Sequence, residues 1–156
     1  VLVLQNRFPA LTLNPVKPST KVRELLKSKK AFGVCEVVVE TPVHEGDLCD
    51  LSLENMVKVI EVFAKEFDRL SNIKNIKYVA EFRNKGKEIG VSLTHPHSQI
   101  YGLPFIPPRI IEELKSFKKY YKSKGRCLLC DIIREEFLEK ERIVYANKHF
   151  LALIPY

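Results

Sequence analysis

Residues 92–102 read SLTHPHSQIYG, and they carry two of the chain's four histidines. His95, His97 and Gln99 stand at every second position, with Pro96 between the imidazoles. In an extended strand alternate side chains share a face, so these three are expected to point the same way and Ser98 the other. Proline cannot donate to a sheet ladder, so the strand is expected to lie at an edge or a bulge there. Imidazole near neutral pH is a metal ligand, a proton shuttle or a nucleophile. A carboxamide does not titrate, but it can donate to an oxygen whose charge grows in a transition state. The residues alone leave metal binding and phosphoryl chemistry both open.

Upstream of this strand, NKGKEIG at 84–90 reads as a polar loop with two glycines. Such a loop is either a plain turn or a cradle that aims backbone N–H groups at an anion. GVCEVVVE (33–40) and IKYVAEF (76–82) read as strands, rich in β-branched and aromatic residues. Between them Asp50 or Ser52 can cap a helix over about 53–70. Its residues Leu53, Val57, Ile60, Phe63, Phe67 and Leu70 recur at helical spacing, which predicts a buried stripe. After Pro107 and Pro108 a second helix is expected over about 109–122, with Ile111, Leu114, Phe117 and Tyr121 on one face. DIIREEFLE (131–139) reads as a short helix, and RIVYA and HFLALIPY as strands. Strands and helices in this mixed order predict an α+β fold with an antiparallel sheet and flanking helices.

The chain has 156 residues, a net charge of +7 and 46 % apolar residues, the balance of a water-soluble globular domain. No apolar run approaches the roughly 20 residues of a membrane helix, so no membrane partner is expected. The lysines are scattered, which reads as solvated helix faces rather than a nucleic-acid surface. Four cysteines and no visible secretory leader point to a reducing compartment, the cytoplasm. Cys127-x-x-Cys130 then reads as a metal or redox pair, whereas Cys35 and Cys49 read as buried thiols. Asn6-Arg7-Phe8-Pro9-Ala10-Leu11 echoes Asn147 to Leu153 with one insertion, which suggests a tandem duplication. Val1 is not an initiator Met and FLALIPY reads like the middle of a strand, so the sequence reads as a segment. The expected division is a nearly complete first unit at 1–122 and the start of a second at 123–156.

NKGKEIGVSLTHPHSQI, residues 84–100, resembles the active-site segment of the galactose-1-phosphate uridylyltransferases, in the histidine-triad superfamily. The resemblance extends to NRFPAL (6–11), to ETPVHEGDLCDLS (40–52) and to residues 127–156, nearly the whole chain. It implies two histidine-triad-like halves and a double displacement between UDP-glucose and galactose 1-phosphate. In that chemistry His97 would carry the uridylyl group covalently, and Gln99 would hold a phosphoryl oxygen. Asn84, Gly90 and Ser92 match phosphate-contacting positions, and Asn6 and Phe8 match positions beside uridine. A related adenylyl transferase or phosphorylase, on ADP-glucose or a diadenosine polyphosphate, would use the same histidine. A non-catalytic nucleotide-binding module is the third reading.

The resemblance also implies metals. His44 and His95 match two ligands of a structural zinc site whose other two ligands are an upstream cysteine pair that is absent from this sequence, so either residues before Val1 supply it or this half holds no zinc. Two ligands do not make such a site, which takes four. Cys127 and Cys130 have zinc-ligand spacing of their own. His149 lies within the repeated segment and reads as an ordinary strand residue. Glu113 is the nearest match to a glutamate that holds a second metal, such as iron, in some members. The family is expected to be homodimeric.

Overall fold

The computed structural model describes residues 1–18, 25, 27–89, 91 and 93–156. The chain folds as two compact units, Val1–Ile106 and Pro107–Tyr156.

The first unit is built on a four-stranded antiparallel sheet in the order β1-β2-β4-β3. Its strands are β1 (Leu2–Gln5), β2 (Val34–Val39), β3 (Tyr78–Phe82) and β4 (His97–Leu103). Helix α1 (Leu53–Ser71) connects β2 to β3, and its first free N–H groups are met by Ser52, whose Oγ accepts from Asn55 N at 3.3 Å. Along β4 the side chains alternate strictly between half-buried and buried. Ser98, Ile100 and Gly102 point to the buried side, and His97, Gln99 and Tyr101 to the open side. Val34, Val38, Leu70, Val79 and Ile100 form the core, with Val62 and Phe63 of α1 packed against them.

The structure departs from the sequence expectation at the packed face of α1, at Pro96 and along the second helix. The stripe Leu53, Val57, Ile60, Phe63, Phe67 and Leu70 is not the buried face of α1. Leu53 is 81 % exposed, and Val57, Ile60 and Phe67 are about half exposed. The helix packs through a neighbouring stripe, Val59, Phe63, Glu66 and Leu70. Glu66 can lie there because Arg69 Nε donates to it at 2.5 Å, and the same guanidinium bonds both oxygens of the buried Glu36. An arginine clamp turned an acidic position into part of the packed face, which a count of apolar residues cannot register. The second correction concerns Pro96. Strand β4 is an inner strand, not an edge, and it starts at His97. Pro96 lies one residue ahead of the ladder, where its missing N–H is not needed, and its carbonyl still accepts from Glu40 N at 3.3 Å.

The second unit contains helix α2 (Pro108–Lys124), helix α3 (Leu128–Glu139) and a hairpin of β5 (Ile143–Ala146) with β6 (Leu151–Leu153). Helix α2 starts with Pro108 and stops at Gly125, whose φ of 67° is left-handed. Its expected apolar face is largely open: Ile111, Leu114 and Tyr121 are 38 %, 52 % and 62 % exposed. The compact units divide at 106/107, and α2 groups with α3. The sequence echo has a local counterpart. Asn6 follows β1 and its Oδ1 accepts from Phe8 N at 2.9 Å. Asn147 follows β5 and its Oδ1 accepts from His149 N and Phe150 N at 2.8 and 2.9 Å. The same strand-then-Asx-turn unit therefore occurs twice.

Candidate active site

His97 is the first residue of β4, at the rim of a cavity of about 180 Å³. The cavity is also lined by His95, Thr94, Asn84, Lys85 and Gly86. His97 Nδ1 lies 2.8 Å from the carbonyl oxygen of His95. A carbonyl only accepts, so Nδ1 carries the proton and donates, and in the neutral ring Nε2 keeps its lone pair. That is the state of an imidazole able to attack an electrophile.

Gln99 stands on the same face, two residues along. Tyr101 Oη donates to its Oε1 at 3.3 Å, which leaves the amide N–H groups free to donate elsewhere. Burial, with a smaller contribution from Cys35, pushes the Tyr101 phenol above its ordinary range, so it stays a neutral donor. Phe82 meets the Tyr101 ring edge to face at 5.1 Å and fixes its direction.

His95 precedes the strand and lines the same cavity as His97. It sits in a bend before the strand, with Nε2 on the carbonyl of Thr41 at 2.7 Å and Nδ1 on Nδ1 of His44 at 3.0 Å. The Thr41 carbonyl requires a proton on His95 Nε2, so in the neutral ring a lone pair remains on His95 Nδ1, on the side of His44. Two nitrogens about 2.0–2.1 Å from a tetrahedral zinc ion are roughly 3.3 Å apart, so the pair fits as half of a zinc complement. The carbonyl behind His95 is the usual outer support of a ligating imidazole. Among the described residues no third His, Cys, Asp or Glu joins them.

The glycine loop turns through Gly86, at φ 108°, into a short 3₁₀ turn, Lys87–Ile89. Asn84 is among the residues that line the cavity. Gly90 and Ser92 lie outside the described residues. Arg83, Lys85 and Lys87, not singled out in the sequence, also line the cavity. Their signal was available: three cations within five residues of a glycine loop are what an anion cradle needs. Asp47 bonds both Arg83 and Lys85 across the mouth. The Lys85 ammonium, then the Leu48 N–H, holds the Asp47 carboxyl below its ordinary range.

Asn6 and Phe8 lie away from this cavity. Asn6 N donates to Cys35 O, and Cys35 pairs with Tyr101, four residues beyond His97. The separation is roughly 13 Å along the strand and about 9.5 Å across two strand spacings. Phe8 is 83 % exposed, with the Arg7 guanidinium 5.5 Å from its ring centre.

In the second unit Cys127 caps α3 and Cys130 lies in its first turn; both are exposed. The Cys130 backbone N–H, then its side chain, holds the Cys127 thiol below its ordinary range, and Cys127 pushes Cys130 the other way. A thiolate stabilised at one member of the pair suits a soft cation. Glu113 accepts from Arg109 Nε at 3.0 Å on the exposed surface of α2. Cys35 is buried as expected, but Cys49 is exposed, because it lies in the 3₁₀ turn Leu48–Asp50 rather than in the sheet.

An antiparallel sheet with a helix on one face and a His-Pro-His-x-Gln segment opening its inner strand defines a histidine-triad-like α+β protein. The chain belongs to the galactose-1-phosphate uridyl transferase family: residues 1–107 match the model of that family's N-terminal domain. A galactose-1-phosphate uridylyltransferase of Thermotoga maritima is 37 % identical over 156 residues, all of this chain and 48 % of the relative. An ADP-glucose phosphorylase of Arabidopsis thaliana is 30 % identical over 155 residues, 99 % of this chain and 43 % of that protein. A solved uridylyltransferase structure superposes with a TM-score of 0.89 at 43 % identity, covering 99 % of this chain and 48 % of the other. The chain thus spans about half the length of the curated relatives it matches. No helix of the described residues is long and apolar enough to cross a membrane.

Proposed function

We propose that this chain carries the nucleophile of a nucleotidyltransferase that exchanges a uridylyl group between UDP-glucose and galactose 1-phosphate, in galactose metabolism. The observation that supports it most is the His97 ring, held at Nδ1 by the His95 carbonyl and presenting Nε2 beside a cationic glycine loop. The Nε2 lone pair attacks the α-phosphorus. The bond from phosphorus to the bridging oxygen breaks, and glucose 1-phosphate leaves with that electron pair. A phosphate oxygen of galactose 1-phosphate then attacks the uridylyl-histidine, the P–N bond breaks, and UDP-galactose forms. Splitting the transfer into two displacements lets one site serve both sugar phosphates. Gln99 donates to the non-bridging oxygens as their charge grows, and Asn84, Gly90 and Ser92 are the further phosphate contacts that the family resemblance implies. Asn6 and Phe8 take the uridine end.

Zinc, where bound, is structural: His44 and His95 hold one ion with two further ligands, and Cys127 and Cys130 belong to a second site. Glu113 is the ligand this chain offers to a further metal such as iron. The protein works as a cytoplasmic homodimer and is a tandem duplication, a reading supported by the twice-occurring strand and Asx turn. The ADP-glucose phosphorylase relative favours one alternative, adenylyl transfer through the same His97.

Intact mass after incubation with UDP-glucose alone, and separately with ADP-glucose alone, tests both. A uridylyl-sized gain, absent from His97→Ala, is the expected result. A gain only with ADP-glucose would replace the uridylyl reading with the adenylyl one, and a parental gain in His97→Ala would remove His97 as nucleophile.

A further inference from the structure

Behind the nucleophile lies a buried charge that the exchange chemistry itself does not use. Glu40, the residue after β2, is 1 % exposed. Ser98 Oγ, on the residue next to His97, donates to Glu40 Oε1 at 2.5 Å. Arg83 Nε donates to both Glu40 oxygens, at 3.0 and 3.1 Å. The other arm of Arg83 reaches Asp47 Oδ1 at 2.8 Å, and the second Asp47 oxygen takes Lys85 Nζ. The Glu40 backbone N–H bonds the Pro96 carbonyl, and the next carbonyl, Thr41, holds His95. One carboxylate therefore ties together the strand that carries His97 and the residue that opens the glycine loop.

We propose that Glu40 and Arg83 are positioning residues that set the spacing between His97 Nε2 and the loop Asn84–Ile89. Three features carry this. A buried carboxylate is retained only where it is paired and hydrogen-bonded, and Glu40 has its donors on the two site elements alone. Arginine offers a planar fork that fixes direction as well as distance, which an ammonium would not. The loop contains Gly86 in a left-handed conformation and no regular strand or α-helix, so its place depends on its anchors. The inference rests on His97 being the nucleophile, and it goes beyond that reading by naming what holds the two reacting partners in register.

The test compares the parent with Glu40→Gln, Glu40→Asp, Arg83→Lys and Ser98→Ala. Three readouts are taken: the single-turnover rate of uridylyl-adduct formation with UDP-glucose, the KM for UDP-glucose, and amide hydrogen exchange over residues 83–89. Misplacement near 1 Å costs up to about 10²-fold in rate. Glu40→Gln and Arg83→Lys are therefore expected to lose roughly 10- to 100-fold in adduct rate, with KM changed less than about 3-fold. Full adduct amplitude, partial rescue by Glu40→Asp and faster exchange of the loop amides are expected alongside. If Glu40→Gln does not fold, Arg83→Lys and Ser98→Ala carry the comparison. A parental adduct rate in the folded variants, with only a lower melting temperature, would make the network structural and overturn the proposal. If the parent itself forms no adduct, the nucleophile reading fails. Loop exchange then decides the positioning role separately: faster exchange in the variants supports it, and unchanged exchange removes it.

Discussion

At the residue scale, an imidazole has two nitrogens, and its chemistry depends on what each one holds. His95 and His97 are two residues apart and differ in this respect. His97 has a carbonyl at Nδ1 and cavity at Nε2, the arrangement of a nucleophile. His95 has a carbonyl at Nε2 and another imidazole at Nδ1, the arrangement of a ligand. The consequence is a separation of phenotypes. His95→Ala and His44→Ala are expected to lower zinc content and melting temperature together, whereas His97→Ala leaves both near parental. Metal analysis with thermal melting on the three variants checks this. Unchanged zinc in both His95→Ala and His44→Ala would remove the pair as ligands. Much of this site was legible beforehand, because the residue types and their spacing are written in the chain. The roles of the Thr41 and His95 carbonyls were not, since every residue has a carbonyl and only the folded backbone selects which one faces a ring.

At the scale of elements, alternation in β4 and the β-branched run of β2 predicted strands that the structure contains, because a strand's two faces meet different surroundings. The buried face of α1 was misread, because a helix carrying two adjacent apolar stripes does not announce which will meet the sheet. The Arg69 clamp over Glu36 and Glu66 settled it. Gly33 shows how tightly the β2 end is fitted. It has φ 152°, and a Cβ there would stand 2.5 Å from the Gly102 carbonyl and 2.8 Å from Leu11 Cδ1. Gly33→Ala is expected to cost on the order of 2–4 kcal/mol through backbone strain and overpacking. Chemical denaturation with an unchanged slope would measure it. A loss under about 0.5 kcal/mol, the size of an ordinary surface change, would mean that the β2 end relaxes freely.

At the scale of the whole molecule, the net charge of +7 is spread over exposed lysines, but three cations gather where an anion is expected. Arg83, Lys85 and Lys87 line the His97 cavity, with Asp47 as the carboxylate bonded to the first two. Attraction at that partly exposed mouth is screened by salt, with a Debye length of about 10 Å at 0.1 M. The KM for a sugar nucleotide is therefore expected to rise severalfold between roughly 0.05 and 0.5 M salt, and less so in Lys85→Gln and Lys87→Gln. Steady-state kinetics across that range checks it, and a flat salt profile would show that the cations are spent on Asp47 and Glu40.

Residue types, their spacing and local backbone preference are properties of the chain before it folds. They were sufficient for the α+β class, the strand that carries His97, the glycine loop and the echo of 6–11 in 147–153, since such patterns are short-range. Folding settled whatever depends on contacts distant in sequence. It made β4 an inner strand, brought His95 against His44, chose the packed face of α1 and joined Glu40 to Arg83 across 43 residues. Those outcomes follow from burial and pairing of charges, whose energies exist only once the partners share a low-dielectric site.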